Sequence, residues 1–192
     1  METVKNKDTS YRITVFGGAH PKPGESTYIQ ALELGRLLGQ AGFTVLTGGY
    51  IGTMEAVSRG AAESGGHVVG VTCDEVEIWR KVSPNQWVME ELRFKTLRER
   101  LSTLIDSCDA AIALPGGIGT LTEISLFWNE LIIEIGRERP LILVGQEWKT
   151  VFDSFFSVFE EHTPLSLRKW VSFEPDIESA VNHLRNHFHI NN

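Results

Sequence analysis

A carboxylate and three glycines share one predicted strand-to-helix turn, in the segment AIALPGGIGTLTEISLFW at residues 111–128. The apolar run before Pro115 is typical of a buried strand, and the periodicity after Thr120 predicts a helix. Glycines at such a turn expose the amides of the helix N-terminus, where a phosphate group can bind. Glu123, early in the predicted helix, would then lie near a ligand that carries such a phosphate.

A helix cap would explain the same residues without any ligand. Thr120 and Glu123 have the spacing of a capping box, in which the two side chains satisfy free amides at the start of a helix. Taken alone, the pair therefore fits either a cap or a binding site.

Two more glycine turns follow predicted strands. FGGAH contains Gly17 and Gly18, and TGGYIGT contains Gly48 and Gly49. In a doubly wound sheet these turns would meet at the carboxyl edge of the strands, where ligands bind. No turn has the G-x-G-x-x-G pattern or the lysine of a phosphate loop, which argues against a standard dinucleotide or nucleoside triphosphate site.

The elements that position these turns alternate between strands and helices. Each predicted strand is a continuous apolar run, as in YRITVF, FTVLT, HVVGVTC, DAAIAL and RPLILV. This pattern predicts an α/β fold, a single Rossmann-like doubly wound parallel sheet with helices on both faces. We expect residues 1–10 to form a flexible tail and residues 11–190 to form one domain.

Residues 74–93 fit a surface loop with a short strand near 86–89, ahead of a helix over 93–108. On that helix Arg98 and Arg100 flank an apolar stripe, and a solvated face accounts for either arginine. The stripe consists of Leu97, Leu101, Leu104, Ile105 and Cys108.

The composition argues against several classes of function. A net charge of -7 without a basic stripe predicts no nucleic-acid partner. No apolar run reaches the roughly 20 residues of a membrane span, and the first residues lack a signal-peptide core, so we expect a cytoplasmic protein without membrane attachment. Cys73 and Cys108 lack zinc or disulfide spacing and are predicted to be buried, reduced thiols.

Other candidate residues carry weaker signals. His183 and His187 share a helical face near His189, but too few further ligands accompany them to predict a metal site. His20 is a candidate ligand contact or a polar turn residue. A row of phenylalanines predicts packing or part of a subunit interface: Phe152, Phe155, Phe156 and Phe159.

PGGIGTLTE at 115–123 resembles the PGGxGTxxE signature of the LONELY GUY (LOG) family, the cytokinin riboside 5'-monophosphate phosphoribohydrolases. VFGGAH and LTGGYIGTMEAVSRGAAESGGHVVGV extend the resemblance over most of the chain. The resemblance implies an enzyme that cleaves the N-glycosidic bond of a nucleoside 5'-monophosphate, such as AMP or a cytokinin nucleotide, to free base and ribose 5-phosphate. It also implies a homodimer that needs no cofactor.

The family's functional residues correspond to particular positions here. Arg100 and Glu123 match the catalytic arginine and glutamate. The nucleotide-binding loop matches Gly116, Gly117, Gly119 and Thr120, and we expect Gly17, Gly18, Gly48 and Gly49 to contact the substrate as well.

Two departures from the family pattern support a second hypothesis. Leu101 replaces the lysine that follows the catalytic arginine, and GGYIGTME with Glu55 replaces GGGxxGLMG. This variant resembles a less characterised branch of the superfamily, in which relatives such as molybdenum-cofactor carrier proteins bind ligands without known hydrolysis. That resemblance implies a non-catalytic nucleotide or phosphate-ligand carrier as the alternative. Glu55 is either a ligand contact or a first-turn carboxylate favoured by the helix dipole, and a further family glutamate could correspond to Glu75 or Glu77.

Overall fold

The computed structural model describes residues 10–133 and 138–190, where all strands are parallel and belong to one sheet. The strands are β1 (Arg12–Phe16), β2 (Thr44–Thr47), β3 (Val68–Cys73), β4 (Glu90–Phe94), β5 (Ala110–Ala113), β6 (Leu141–Val144) and β7 (Val171–Glu174). Their order is β4-β3-β2-β1-β5-β6-β7. The predicted doubly wound parallel sheet is confirmed.

Helices cover both faces of this sheet, so that β2, β3, β5 and β6 are buried along their whole length and β1 is buried except at Arg12. The helices are α1 (Ser26–Gln40), α2 (Thr53–Glu63), α3 (Asp74–Arg80), α4 (Leu97–Asp106), α5 (Ile118–Ile133), α6 (Gln146–Val158), α7 (Leu165–Arg168) and α8 (Ile177–His187), with a 3-10 turn at Glu160–His162. Helices α1, α2 and α8 pack on one face, and α4, α5 and α6 pack on the other.

The strand order creates a crevice in the middle of the sheet. From β1 the chain builds outward to β4, then returns to place β5 on the other side of β1. The connections that leave the carboxyl ends of β1 and β5 therefore run to opposite faces. Ligands of open α/β sheets bind at such a switch point.

The prediction for residues 74–93 was wrong in its details. Asp74–Arg80 is the helix α3 rather than a loop, and the strand lies at Glu90–Phe94 rather than near 86–89. Strand β4 forms the exposed edge of the sheet and lacks the buried apolar run of the inner strands. That is why its position was hard to see in the sequence.

Helix α4 begins at Leu97, later than the sequence suggested. Thr96 caps it, accepting a hydrogen bond from the Glu99 amide while Glu99 accepts one from the Thr96 amide. The helix that begins at this capping box places Arg100 inward, whereas Leu97 is 41% exposed. The predicted stripe is therefore correct for Leu104, Ile105 and Cys108, which are buried, and wrong for Leu97.

Several smaller expectations can also be compared with the fold. Cys73 and Cys108 are buried thiols outside any disulfide, as predicted. Phe152 and Phe156 pack into the core, whereas Phe155 and Phe159 remain exposed. The tail predicted for residues 1–10 lies outside the described residues except for Ser10. No helix in the described ranges combines the length and the apolar character needed to cross a membrane.

Candidate functional site

Three turns interlock above the carboxyl ends of β1, β2 and β5. Gly18 donates its amide to the Pro115 carbonyl at 3.3 Å, and its own carbonyl accepts the Thr53 amide at 2.9 Å. A Cβ at Gly17 would collide with the Thr53 side chain, and one at Gly116 would collide with the Thr120 hydroxyl. These glycines therefore let the first turn pack directly against the other two.

A pocket of about 290 Å³ opens on this platform, at the switch point. Its walls come from the three turns, from α3 and α4, and from the first two turns of α5. The lining residues are Gly17, Gly18, Ala19, His20, Tyr50, Met54, Val76, Trp79, Arg80, Leu97, Arg100, Leu101, Gly117, Ile118, Gly119, Thr120, Thr122 and Glu123.

Arg100 reaches the pocket from beneath and is only 6% exposed. Its Nε donates to the Val71 carbonyl at 2.8 Å, and its Nη2 donates to the Gly48 carbonyl at 3.3 Å. The guanidinium also lies over the Tyr50 ring, 5.6 Å from the ring centroid. Such partners are required because a buried charge without hydrogen bonds is strongly destabilising. The exposed neighbour Arg98 has none of this setting and does not line the pocket.

Gly48 and Gly49 lie behind the pocket rather than in its lining. A Cβ at Gly48 would collide with Nη2 of Arg100, so this glycine makes room for the guanidinium. Gly49 has a φ of 76°, a backbone conformation that favours glycine. Asn85 holds this turn by donating its side-chain amide to the carbonyls of Gly49 and Tyr50, both at 2.9 Å.

Glu123 faces the same pocket from the second turn of α5. Burial raises the pKa of Glu123 from 4.5 to about 7, while the positive charges of Arg100 and Arg80 act in the opposite direction. Within residues 10–133 and 138–190 the carboxylate forms no hydrogen bond and no ion pair closer than 4.0 Å. Glu123 is half-buried in the pocket, and its ionisation falls near neutral pH, a property suited to acid–base chemistry.

The capping alternative for Thr120 and Glu123 is wrong. Helix α5 begins at Ile118, so Thr120 is already its third residue and Glu123 its sixth. Thr120 is therefore not the N-cap and Glu123 is not the third helical residue, so the predicted capping box does not form. Glu123 therefore faces the cavity, and capping does not explain why this position carries a carboxylate.

Two glycines in the third turn have no packing reason to be glycine. A Cβ at Gly117 or Gly119 would meet no atom within 4 Å, and neither residue has a positive φ. Both residues line the pocket beside the first turn of α5. Amides in that turn have no partner within the helix, so an anion can approach them here without steric hindrance.

Helix α3 supplies the outer wall of the pocket, and the sequence reasoning did not identify it. Val76, Trp79 and Arg80 line the cavity. The signal that could have located α3 is its charge order, since acidic residues in the first turn and an arginine in the last are typical of a helix.

The glutamates considered in this region do not line the pocket. Glu75 accepts the Leu97 amide at 2.8 Å, and Glu77 pairs with Arg93 at 2.7 Å. Glu55 lies in the first turn of α2 and accepts a hydrogen bond from Tyr28 at 3.4 Å.

The histidines separate into two groups. His20 lines the pocket, whereas His183 lies at the far edge of the sheet, with its Nδ1 2.9 Å from Glu174 Oε1. In the described part of the chain, no three His, Cys, Asp or Glu side chains are arranged to hold a metal ion.

Comparisons with known proteins agree with this architecture. A model of the SLOG cluster4 family matches residues 10–157. A probable cytokinin riboside 5'-monophosphate phosphoribohydrolase from Oryza sativa subsp. japonica, LOGL5, is 36% identical over 129 residues, which cover 64% of this chain and 50% of the rice protein. The cytokinin riboside 5'-monophosphate phosphoribohydrolase of Mycobacterium marinum is 33% identical over 153 residues and 77% of each chain.

Among solved structures, the molybdenum cofactor binding protein from Rippkaea orientalis superimposes with a TM-score of 0.74. The match covers 94% of this chain and 99% of that one, at 22% identity. This similarity shows that the two proteins share a fold.

The raised pKa of Glu123 predicts a pH-dependent stability. The folded state binds this proton more tightly than the unfolded state, so the protein loses stability as pH rises from 4.5 through about 7. The full difference corresponds to about 3 kcal/mol. Glu123→Gln removes the ionisation, so its stability relative to wild type should be about 2 to 3 kcal/mol more favourable at pH 8 than at pH 5.

Denaturant unfolding of both proteins at the two pH values measures this difference. Glu178→Gln is the matched control, because Glu178 is an exposed carboxylate in the first turn of α8. The same change in stability for Glu123→Gln at pH 5 and pH 8 would contradict the assignment.

Proposed function

The chain belongs to the LOG family, through its SLOG cluster4 group, and from that premise we propose that it hydrolyses the N-glycosidic bond of a nucleoside 5'-monophosphate. The products are the free base and ribose 5-phosphate. The proposed substrate class is AMP or a cytokinin-like nucleotide, and the names of the relatives mention the second of these.

One observation carries this proposal: Glu123 and Arg100 line the same pocket, at the switch point of the sheet. They come from α5 and α4, which follow different strands, and no packing role accounts for the carboxylate. A desolvated carboxylate beside a fixed guanidinium can respond to the opposite charges that develop when a glycosidic bond breaks.

The substrate phosphate is proposed to bind at the first turn of α5. Gly117 and Gly119 leave the helix amides accessible, and Gly18 opens the same side of the pocket. The partial positive charge of the helix N-terminus favours an anion there. Glu123 lies one turn further along α5, which suits contact with the ribose attached to that phosphate.

In the proposed reaction the bond from C1' of ribose to the base nitrogen breaks, and its electron pair leaves with the base. The ionised carboxylate of Glu123 stabilises the positive charge on ribose and takes a proton from the water that attacks C1'. That proton then passes to the departing base through solvent. Arg100 supplies positive charge where electron density accumulates on the base.

A second function remains a candidate because Leu101 also lines this pocket. The family resemblance predicts lysine at this position, and leucine makes the wall apolar. A carrier that binds a nucleotide or a related phosphate ligand without cleaving it would use the same glycines and the same helix terminus.

The hydrolysis proposal predicts release of free base from at least one nucleoside 5'-monophosphate. AMP, GMP, IMP, CMP and UMP are incubated with the protein, and the products are separated by chromatography. Glu123→Gln should lower kcat/KM by at least about 100-fold, the usual contribution of a general base. Wild-type kcat/KM should rise with pH through about 7, because the ionised form of Glu123 is the active one.

Glu178→Gln again serves as the control and should retain activity. Base release that does not depend on Glu123 would refute its catalytic role. No release, together with thermal stabilisation by a nucleotide, would instead support the carrier.

Gly119 offers a test of the phosphate subsite that is independent of the chemistry. Alanine fits at this helical position without a clash and favours the helix by up to about 1 kcal/mol, so Gly119→Ala should not destabilise the fold. The added methyl group would stand between the ligand and the helix amides. We expect the KM for the nucleotide to rise at least about tenfold, equivalent to about 1.4 kcal/mol of binding.

Ser125→Ala, at an exposed position further along α5, should leave KM unchanged. An unchanged KM in Gly119→Ala would place the phosphate elsewhere.

We also propose that the protein is a cytoplasmic homodimer. Exposed apolar side chains near the pocket support the dimer: Ile78 is 78% exposed and Ile118 is 81% exposed. Large apolar side chains left exposed on a surface are candidates for a subunit contact. Light scattering should give the mass of two chains, and the mass of one chain would exclude the dimer.

A further inference from the structure

Trp79 is a large aromatic side chain on the pocket wall with no part in the reaction described above. It lies near the end of α3 and is 75% exposed. Helix α3 has no buried residue, so the indole does not anchor the helix. An exposed aromatic ring on a cavity wall offers a flat surface for a ligand.

Polar bonds hold α3 in place without help from Trp79. Arg93 of the edge strand binds Asp74 at 2.9 Å and Glu77 at 2.7 Å, and Glu75 accepts the Leu97 amide at 2.8 Å. These contacts connect α3 to β4 and to the start of α4. Trp79 can therefore be replaced while the helix keeps its position.

The start of α3 is also fixed from the core. The buried Tyr50 hydroxyl accepts the Cys73 amide at 2.8 Å and donates to the Cys73 carbonyl at 3.1 Å. Cys73 is the last residue of β3 and immediately precedes α3. Tyr50 therefore connects the start of α3, the helix that carries Trp79, to the turn after β2. The Gly48 carbonyl of that same turn accepts a hydrogen bond from Arg100.

The polarity of the pocket indicates where a base would lie. The proposed phosphate site is at the first turn of α5, and Glu123 follows one turn later. The wall formed by α3 and α4 is mainly apolar, with Val76, Leu97 and Leu101 beside Trp79. A nucleotide with phosphate at the glycines and ribose at Glu123 would direct its base toward that apolar wall.

The indole is also oriented by a neighbour. The Arg80 guanidinium lies over the Trp79 ring, 5.0 Å from the ring centroid. A cation over the face of tryptophan is an attractive interaction, so it favours one ring orientation. This contact reduces the conformational freedom that Trp79 would lose when a ligand binds.

We propose that Trp79 is the base-stacking residue of this pocket and that its ring favours the larger surface of a purine over a pyrimidine. The inference rests on the proposed ligand class, a nucleoside 5'-monophosphate, but does not require that the ligand be hydrolysed. Trp79 would contribute to affinity and base selection rather than to bond cleavage.

The test measures binding in a Glu123→Gln background, where the ligand is not consumed. AMP, UMP and ribose 5-phosphate are titrated by calorimetry into this protein and into versions that also carry Trp79→Ala or Trp79→Phe. Trp79→Ala should weaken AMP binding about tenfold or more, the range for base stacking on an aromatic ring, and should weaken UMP binding less. Trp79→Phe should retain most of the AMP affinity, and ribose 5-phosphate, which has no base, should bind all three equally.

Ile78→Ala is the matched control. Ile78 is on the same helix and is as exposed as Trp79, but it does not line the pocket. Its replacement should leave the affinity for AMP unchanged. Light scattering on each variant separates a loss of stacking from a loss of subunit contact.

Three results would overturn the proposal. Equal AMP affinity with and without the indole would do so, as would an equal loss of ribose 5-phosphate binding, which would indicate that α3 had moved. Dissociation of the protein by both Trp79→Ala and Ile78→Ala, with AMP binding intact, would assign this surface to a subunit contact. The stacking proposal and the hydrolysis proposal can fail separately. If AMP binding depends on Trp79 but the wild-type protein releases no base, the stacking role is supported and hydrolysis is refuted.

Discussion

The buried guanidinium of Arg100 is the interaction on which the rest of the site depends. A charge held inside a protein must be surrounded by hydrogen-bond acceptors, and here the carbonyls of Val71 and Gly48 and the face of Tyr50 provide that setting. Val71 belongs to β3, and Gly48 and Tyr50 both belong to the turn after β2. The position of this one arginine on α4 therefore depends on both a strand and the neighbouring turn.

Glycines at the site fall into two groups with different physical causes. Gly17, Gly48 and Gly116 are required because a side chain would collide with a neighbouring residue, so they allow the turns and Arg100 to pack closely. Gly117 and Gly119 have open space around them and an ordinary backbone conformation. Only the second group lacks an explanation from folding, and both of its members line the cavity at the start of α5.

Electrostatics and packing combine at Glu123. Burial opposes ionisation of the carboxylate and the nearby arginines favour it, so the pKa settles near neutrality rather than at either extreme. Helix α3 adds one of those arginines and a tryptophan while contributing nothing to the core. The hydrogen bonds from Arg93 to Asp74 and Glu77 hold α3 at the mouth of the pocket. Polar bonds can therefore fix this helix although none of its residues is buried.

Local sequence patterns determined the class of fold and much of the site. Continuous apolar runs followed by glycine turns indicated a parallel sheet, and the segment at 115–123 placed Glu123 at a helix start beside a possible anion site. These signals are readable because strand burial and turn conformation depend on residues close together in the chain. Only the tertiary structure showed that Gly48 accommodates Arg100, that Arg100 rather than Leu97 points inward, that Glu123 does not cap its helix, and that α3 closes the pocket. The fit of Gly48 to Arg100, the inward position of Arg100 and the closure of the pocket by α3 depend on contacts between residues distant in sequence, which no local pattern specifies. The start of α5 at Ile118 was visible only from its backbone, because the glycines before Thr120 do not mark where a helix begins.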